Sequence, residues 1–321
     1  QEFLIGLSSL TVAAKNHSIV NGLVSHIEQR NDVDSEVPCV MIIALVEGRY
    51  KVSIPFDEFY QKNPIDMATV NMETKAGREE YVNRCATMAA KLYSLNVPMV
   101  ITTIQVDEST DAEAGVPAYV IVASRKAALD IIEETNYGDR PDGDGPRIQE
   151  GDFVRAQITS VARDSIAVVV GGVDTRVPLH ALTFEYLVDA RTKYKVGQEI
   201  MVQVEQIIKE KDGHHIVEVN CKQPELERAK QMRSALPIGS IVFGIVSSVA
   251  ASKKQPGNIN VLAYIKMYDL PVLVNNMPAK FLGSEPPRGS TVRLKVLNYL
   301  DNGMILCRCI GTQGPMNFPN A

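Results

Sequence analysis

Basic and aromatic residues crowd into the end of the chain: Phe243, Lys253, Lys254, Tyr264, Lys266, Arg293, Lys295 and Arg308, with Tyr268 beside them. A flat ring offers a face on which a nucleobase stacks. An ammonium or guanidinium pairs with a phosphate. Together these are the chemistry of single-stranded nucleic acid. Phe243 sits where strand alternation points it away from Val242 and Gly244, its inward neighbours. Charge supports the same place. Residues 237–321 carry 8 Lys and Arg against 3 Asp and Glu, residues 148–230 carry 11 against 13, and residues 1–147 carry 13 against 22. Attraction for a polyanion is therefore concentrated in the last stretch. Arg155, Arg163 and Arg176 form a second candidate set, spread over neighbouring strands of the middle stretch. Arg125-Lys126 is a weaker one, because its surroundings are acidic.

Other chemistries find little to stand on. His214-His215 follows the turn dipeptide Asp212-Gly213 and reads as an exposed turn-tip pair, while His17 and His26 are isolated. Cys307 and Cys309 share one face of a strand-like run, but four ligands make a structural zinc site and these are two. Asp139, Asp142 and Asp144 have the acidity of a calcium loop without its twelve-residue frame and closing Glu. The sequence holds no Gly-x-x-x-x-Gly-Lys-Ser/Thr, Gly-x-Ser-x-Gly or His-Glu-x-x-His. The expectation is a protein that is not an enzyme, with no metal and no cofactor.

The elements that position these residues repeat three times. Ile19-Val-Asn-Gly-Leu-Val-Ser-His-Ile27, Phe153-Val-Arg-Ala-Gln-Ile-Thr-Ser-Val161 and Ile241-Val-Phe-Gly-Ile-Val-Ser-Ser-Val249 align without gaps. Each alternates as a half-buried strand does. Each places a small residue, Gly22, Ala156 or Gly244, where the strand bends or is closely approached. A second apolar pass, a short strand, a looped or helical interlude and two further strands follow each copy. Gly171-Gly172, Asp212-Gly213 and Asn302-Gly303 supply hairpin turns. Five strands with a break between the third and fourth predict a mainly β protein with helical insertions, built as three tandem five-stranded Greek-key OB-fold barrels.

Helices are expected at Gln1–Lys15, as a cap on the first barrel or a docking element, at Gly77–Leu95, at Arg125–Glu134 and at Pro224–Ala235. The expected divisions are an N-terminal OB-like domain with added helices at 1–135, a linker rich in Gly, Pro and Asp at 136–149, a central domain at 150–223, a helical connector at 224–236 and a C-terminal OB-like domain at 237–321. With 321 residues, 45% of them hydrophobic and 22% charged, the chain has an ordinary globular composition. No apolar run approaches the ~18 residues that span a bilayer, so no membrane partner is expected. Gln1–Lys15 lacks the basic start of a secretory signal. Five scattered cysteines fit reduced thiols in a cytoplasmic setting.

The middle unit resembles a known family. Glu150-Gly-Asp-Phe-Val, Gly171-Gly-Val-Asp, Val177-Pro-Leu-His-Ala-Leu182 and Tyr194-Lys-Val-Gly-Gln-Glu-Ile-Met-Val-Gln-Val204 follow the order and spacing of the S-one repeat, the RNA-binding module of the first small-ribosomal-subunit protein. The first unit is similar through Val20–Val24, Gly48–Phe59 and Ala123–Ala127, and the third through its opening strand and Arg288–Leu294. The resemblance implies binding of single-stranded RNA or DNA on a barrel face, with aromatics on bases and cations on phosphates. It also shows departures. Asp164 and Ala167 stand where the family stacks Phe, Pro178 stands at its His position, and His180 lies two residues beyond. A second expectation follows from these losses and from similar repeats in mobile elements and tailed phages. It is a structural or assembly protein, such as a virion or scaffold component, whose barrels dock other protein subunits.

Overall fold

The computed structural model describes residues 2–30, 39–106, 119–140, 143–253, 255–278 and 286–313, with the backbone alone at 2–5 and 312–313. Fifteen strands among these residues form three five-stranded units. The first contains β1 (Ile19–Arg30), β2 (Cys39–Val46), β3 (Tyr50–Pro55), β4 (Asn96–Val106) and β5 (Tyr119–Ser124). The second contains β6 (Phe153–Val161), β7 (Ser165–Val170), β8 (Val173–Pro178), β9 (Glu199–Lys209) and β10 (His215–Asn220). The third contains β11 (Ile241–Ala251), β12 (Asn258–Ile265), β13 (Leu270–Pro278), β14 (Thr291–Tyr299) and β15 (Ile305–Gln313). The first and third are closed barrels in the order β1-β2-β3-β5-β4 and β11-β12-β13-β15-β14. Their closing joints are short parallel pairings, Val52 with Ile121 and Ser53 with Val122 in one, Val272 with Ile305 and Leu273 with Leu306 in the other. These are three OB-like barrels, as the triple repeat predicts.

The middle barrel closes differently. Its sheet runs β10-β9-β6-β7-β8 and has no ladder between the end strands. Across that seam the Thr175 hydroxyl donates to the Val217 carbonyl at 2.7 Å.

The repeated signature has a structural cause at each position. A Cβ on Gly22 would lie 2.7 Å from Met99 Cε, and one on Gly244 would lie 2.8 Å from Leu294 Cδ1, so the small residue admits a core side chain from the facing strand. The register then slips between Val24 and His26, between Ile158 and Ser160, and between Val246 and Ser248. The Ser or Thr of the signature is thus the extra residue of a β-bulge, which bends the strand so that it pairs with two neighbours around the barrel. The residue before each bulge exchanges backbone hydrogen bonds with the segment leading into the fourth strand: Val24 with Leu95 and Ser94, Ile158 with Gln198 and Gly197, Val246 with Ser290 and Gly289.

Five helices decorate the barrels. α1 (Glu2–Lys15) seals the first with Leu7 and Leu10. α2 (Lys75–Ala89) starts at Thr74, whose hydroxyl accepts from Gly77 N–H, and buries Val82, Cys85 and Ala89. α3 (Arg125–Tyr137) starts at Ser124, whose hydroxyl accepts from Ala127 N–H. α4 (Leu179–Leu182) is a single turn after β8, and α5 (Lys222–Gln231) leads to the third unit.

The stretch from Asn136, read as a linker, is tied down on its described residues. α3 continues to Tyr137, which is buried and donates its hydroxyl to Val170 O at 2.9 Å. The Asn136 amide donates to Gly171 O, and the Asn136 carbonyl accepts from the Arg147 and Ile148 N–H groups. The Gly171-Gly172 turn does more than reverse the chain. At Gly172 φ is +102°, and a Cβ would fall 2.4 Å from Glu133 N and 2.7 Å from Leu129 O, so α3 rests directly on the turn.

Candidate nucleic-acid interface

In the third barrel β11 pairs with β14, and β14 pairs with β15. The register aligns Ile241 with Lys295 and Phe243 with Arg293, then Lys295 with Arg308. Inward residues alternate with these: Val242 and Gly244, Val292, Leu294 and Val296, Cys307 and Cys309 are buried. The outward face therefore carries Phe243, Arg293, Lys295 and Arg308 side by side, flanked by Ile241 and Ile310. Phe243 is 50% exposed and Ile241 51%. Among the described residues Arg293, Lys295 and Arg308 are exposed, and no carboxylate shares their outward positions. Three cations with no ion-pair partner among the described residues, beside an exposed ring, can hold three phosphates and stack a base.

The remaining candidates lie elsewhere. Lys253 is exposed just beyond β11, and Lys254 is outside the described residues. Lys266 is exposed in the turn between β12 and β13, its ammonium 3.8 Å from Glu185 of the middle unit. Tyr264 is not a stacking residue. It is 1% exposed, its hydroxyl donates to Asp269 Oδ1 at 2.6 Å, and the Lys193 ammonium lies 5.6 Å over its ring. The ring is spent on the junction between the second and third barrels. Burial pushes its hydroxyl pKa up, and so does the Glu225 charge. Tyr268 packs against the third core.

In the middle unit Arg163 is exposed in the β6–β7 turn, and Arg176 is exposed on β8 opposite Ala167. Arg155 sits opposite Met201 on β9, with Glu199 at 3.8 Å. The register thus sets Arg155 on the far flank of β6 from β8, away from the other two. Arg125 is no phosphate ligand. It is 1% exposed, donates to Phe59 O at 2.7 Å, stacks at 4.7 Å on the Phe59 ring and reaches toward Asp174 of the middle unit at 3.6 Å.

The histidine pair is also placed differently from its sequence expectation. His215 is buried at 7% exposure, because the β9–β10 hairpin leans on α3. Its backbone N–H donates to Glu133 Oε1 at 2.6 Å, and its ring Nδ1 lies 2.9 Å from the same oxygen. A turn dipeptide predicts exposure only when nothing folds over it, and the covering helix is some 80 residues away in sequence.

Sequence reasoning missed one group. Between the second and third barrels a cleft of about 590 Å³ is lined by Phe184, Tyr186, Lys222 and Arg288, together with the carboxylates of Asp164 and Glu185. The Lys222 ammonium sits 5.0 Å over the Phe184 ring, and burial lowers its pKa. Ser247, the bulge residue of the third barrel, donates to Phe184 O at 2.5 Å and fixes this wall. The signal present in the sequence was Phe184-Glu-Tyr186 in the interlude after β8, but only the neighbouring barrel turns it into a wall.

Residues 147–215 match the model of the S1 RNA binding domain, which is the S-one repeat. No curated protein matches the chain. Among solved structures, the chain is similar to the a/eIF2alpha–aDim2p–rRNA complex from Pyrococcus horikoshii OT3, at 16% identity over 27% of this chain and 58% of that one, TM-score 0.21. It is similar to a multidomain protein with nucleic acid binding domains from Streptococcus pneumoniae TIGR4, at 11% identity over 91% and 73%, TM-score 0.22. It is also similar to Drosophila Unr CSD456, at 11% identity over 92% and 96%, TM-score 0.18. The chain spans a little over half of the first of these structures. None of the three likenesses is close enough to bear on function.

Proposed function

We propose that this protein binds single-stranded nucleic acid, RNA in the first place, without catalysing a reaction on it. The observation that carries the proposal is the outward face of β11, β14 and β15, where Arg293, Lys295 and Arg308 stand with Phe243 and no acid among them. The match of residues 147–215 to an RNA-binding domain supports the same reading for the middle barrel. There the stacking positions are lost, and the cleft with Phe184, Tyr186, Lys222 and Arg288 offers rings and cations in their stead. Two weak modules on one chain gain avidity through their linkage.

The test is anisotropy of labelled single-stranded RNA and DNA of ~20 nucleotides with the intact protein across a salt series. Salt-sensitive binding that is lost on combined reversal of Arg293, Lys295 and Arg308 to Glu is the expected result. No binding at low salt, or binding indifferent to that triple reversal, overturns it. A second reading rests on Ile241, Phe243 and Ile310, which make the same face partly apolar. Such a patch also fits an acidic partner protein in a larger assembly. That reading gains if the triple reversal breaks co-purification with a protein while nucleic-acid binding was never present.

A further inference from the structure

The geometry points to a divalent metal site at the junction of the first and middle barrels, formed by Asp130 and Glu133 of α3 and His214 of the β9–β10 hairpin. One ligand atom from each of the three residues lies within 4.8 Å of the other two. Asp130 and Glu133 are three apart on a helix and so share a face. The hairpin delivers the imidazole from a separate unit. His214 Nδ1 is 3.3 Å from Glu133 Oε2. That is the edge of a tetrahedron whose metal–ligand bonds are roughly 2.0–2.1 Å, the lengths at which Zn²⁺ takes His nitrogen and carboxylate oxygen.

The surroundings favour a cation. The other oxygen of Glu133, Oε1, accepts from both the backbone N–H and the ring of His215, so the carboxylate is oriented from behind as a metal-binding carboxylate commonly is. Glu133 is 4% exposed. Between the two carboxylates sits the Gln61 amide nitrogen, 3.0 Å from Glu133 Oε2 and 3.3 Å from Asp130 Oδ1. It places donor hydrogens where a positive charge is called for, and an incoming ion displaces it. Glu210 and Asp212 of the hairpin add negative charge around Lys62, which is already paired with Glu210 at 2.8 Å. A mixed nitrogen and oxygen set selects Zn²⁺ or a similar transition ion over Mg²⁺ or Ca²⁺. With three protein ligands the fourth position goes to water. The ion would tie the two barrels together.

The probe is Zn²⁺ alone, titrated calorimetrically into the intact protein in a Cys39→Ser background, which removes the exposed described thiol. One ion should bind, and at a hundredfold excess over its dissociation constant it should raise the unfolding midpoint by about 5 °C, reversed by a chelator. His214→Ala and Asp130→Asn leave the buried Glu133–His215 contact in place and should each weaken Zn²⁺ binding at least tenfold. The midpoint without metal serves as the check on folding. Absence of saturable one-to-one binding, or binding unchanged in both variants, overturns the site. Neither result touches the observation that carries the nucleic-acid proposal, which is the outward face of the third barrel.

Discussion

Arg308 and Phe243 share one sheet face but hold a nucleic acid by different physics, and their variants separate the two. Arg308→Ala should weaken binding about equally for all sequences and flatten the plot of log affinity against log salt by about 0.7, one counterion's worth on a single strand. Phe243→Ala should leave that slope unchanged and cost about 1–3 kcal/mol, the value of one stacked base. Anisotropy over the salt series measures both. Arg125 belongs to the opposite class of residue. Its guanidinium is buried between Phe59 and Asp174, so Arg125→Ala should cost about 3 kcal/mol in denaturant unfolding, with nucleic-acid affinity unchanged in the folded protein. The exposed character of Arg293, Lys295 and Arg308 was legible from alternation alone. The burial of Arg125 and Tyr264 was not, since each is covered by a different barrel and no local pattern records that.

At the scale of elements, the signature of the opening strand was the most legible feature. Its small residue and its Ser or Thr are read in sequence as a bend and found in structure as a close approach and a bulge. The partnership of α3 with the Gly171-Gly172 turn was illegible, because Gly-Gly is explained well enough by a hairpin. Gly172→Ala separates the two roles. It should destabilise the protein by about 1–3 kcal/mol through backbone strain and contact with α3, measured by urea unfolding. Gly48→Ala, at φ +70° with open space around it, should cost about 1 kcal/mol. Glu28 on β1 offers a pH signature. Lys51, Arg30 and His26 gather on its carboxylate and hold its pKa down to about 2 against the partial opposition of burial. A depressed carboxyl stabilises the fold above its ordinary pKa, and that contribution is lost as pH falls from about 4.5 through about 2. In Glu28→Gln the stability difference between pH 5 and pH 2.5 should shrink, as read by denaturant midpoints at the two values.

Across the whole molecule, the five cysteines report on packing. Cys39 is exposed, while Cys85, Cys221, Cys307 and Cys309 are buried. Burial pushes the Cys85 thiol up to about 11 and the Cys221 and Cys307 thiols up to about 12. One thiol should therefore react promptly with an alkylating reagent at pH 8, and four only as fast as the fold opens, counted by intact mass. Three cores, one per barrel, make that opening a sequence of local events.

The seam of the middle barrel gives that sequence a direction. Two of the barrels are laced shut by their own strands, whereas the middle one leans on α3 and joins the end strands of its sheet, β8 and β10, through Thr175. Synthesis runs from the N-terminus, so α3 has left the ribosome before β8 and β10 exist. The barrel that cannot lace itself is always born beside the surface that braces it. Trimming the chain from its front end should accordingly unsettle the middle barrel, while trimming the third barrel from the back should leave that brace in place.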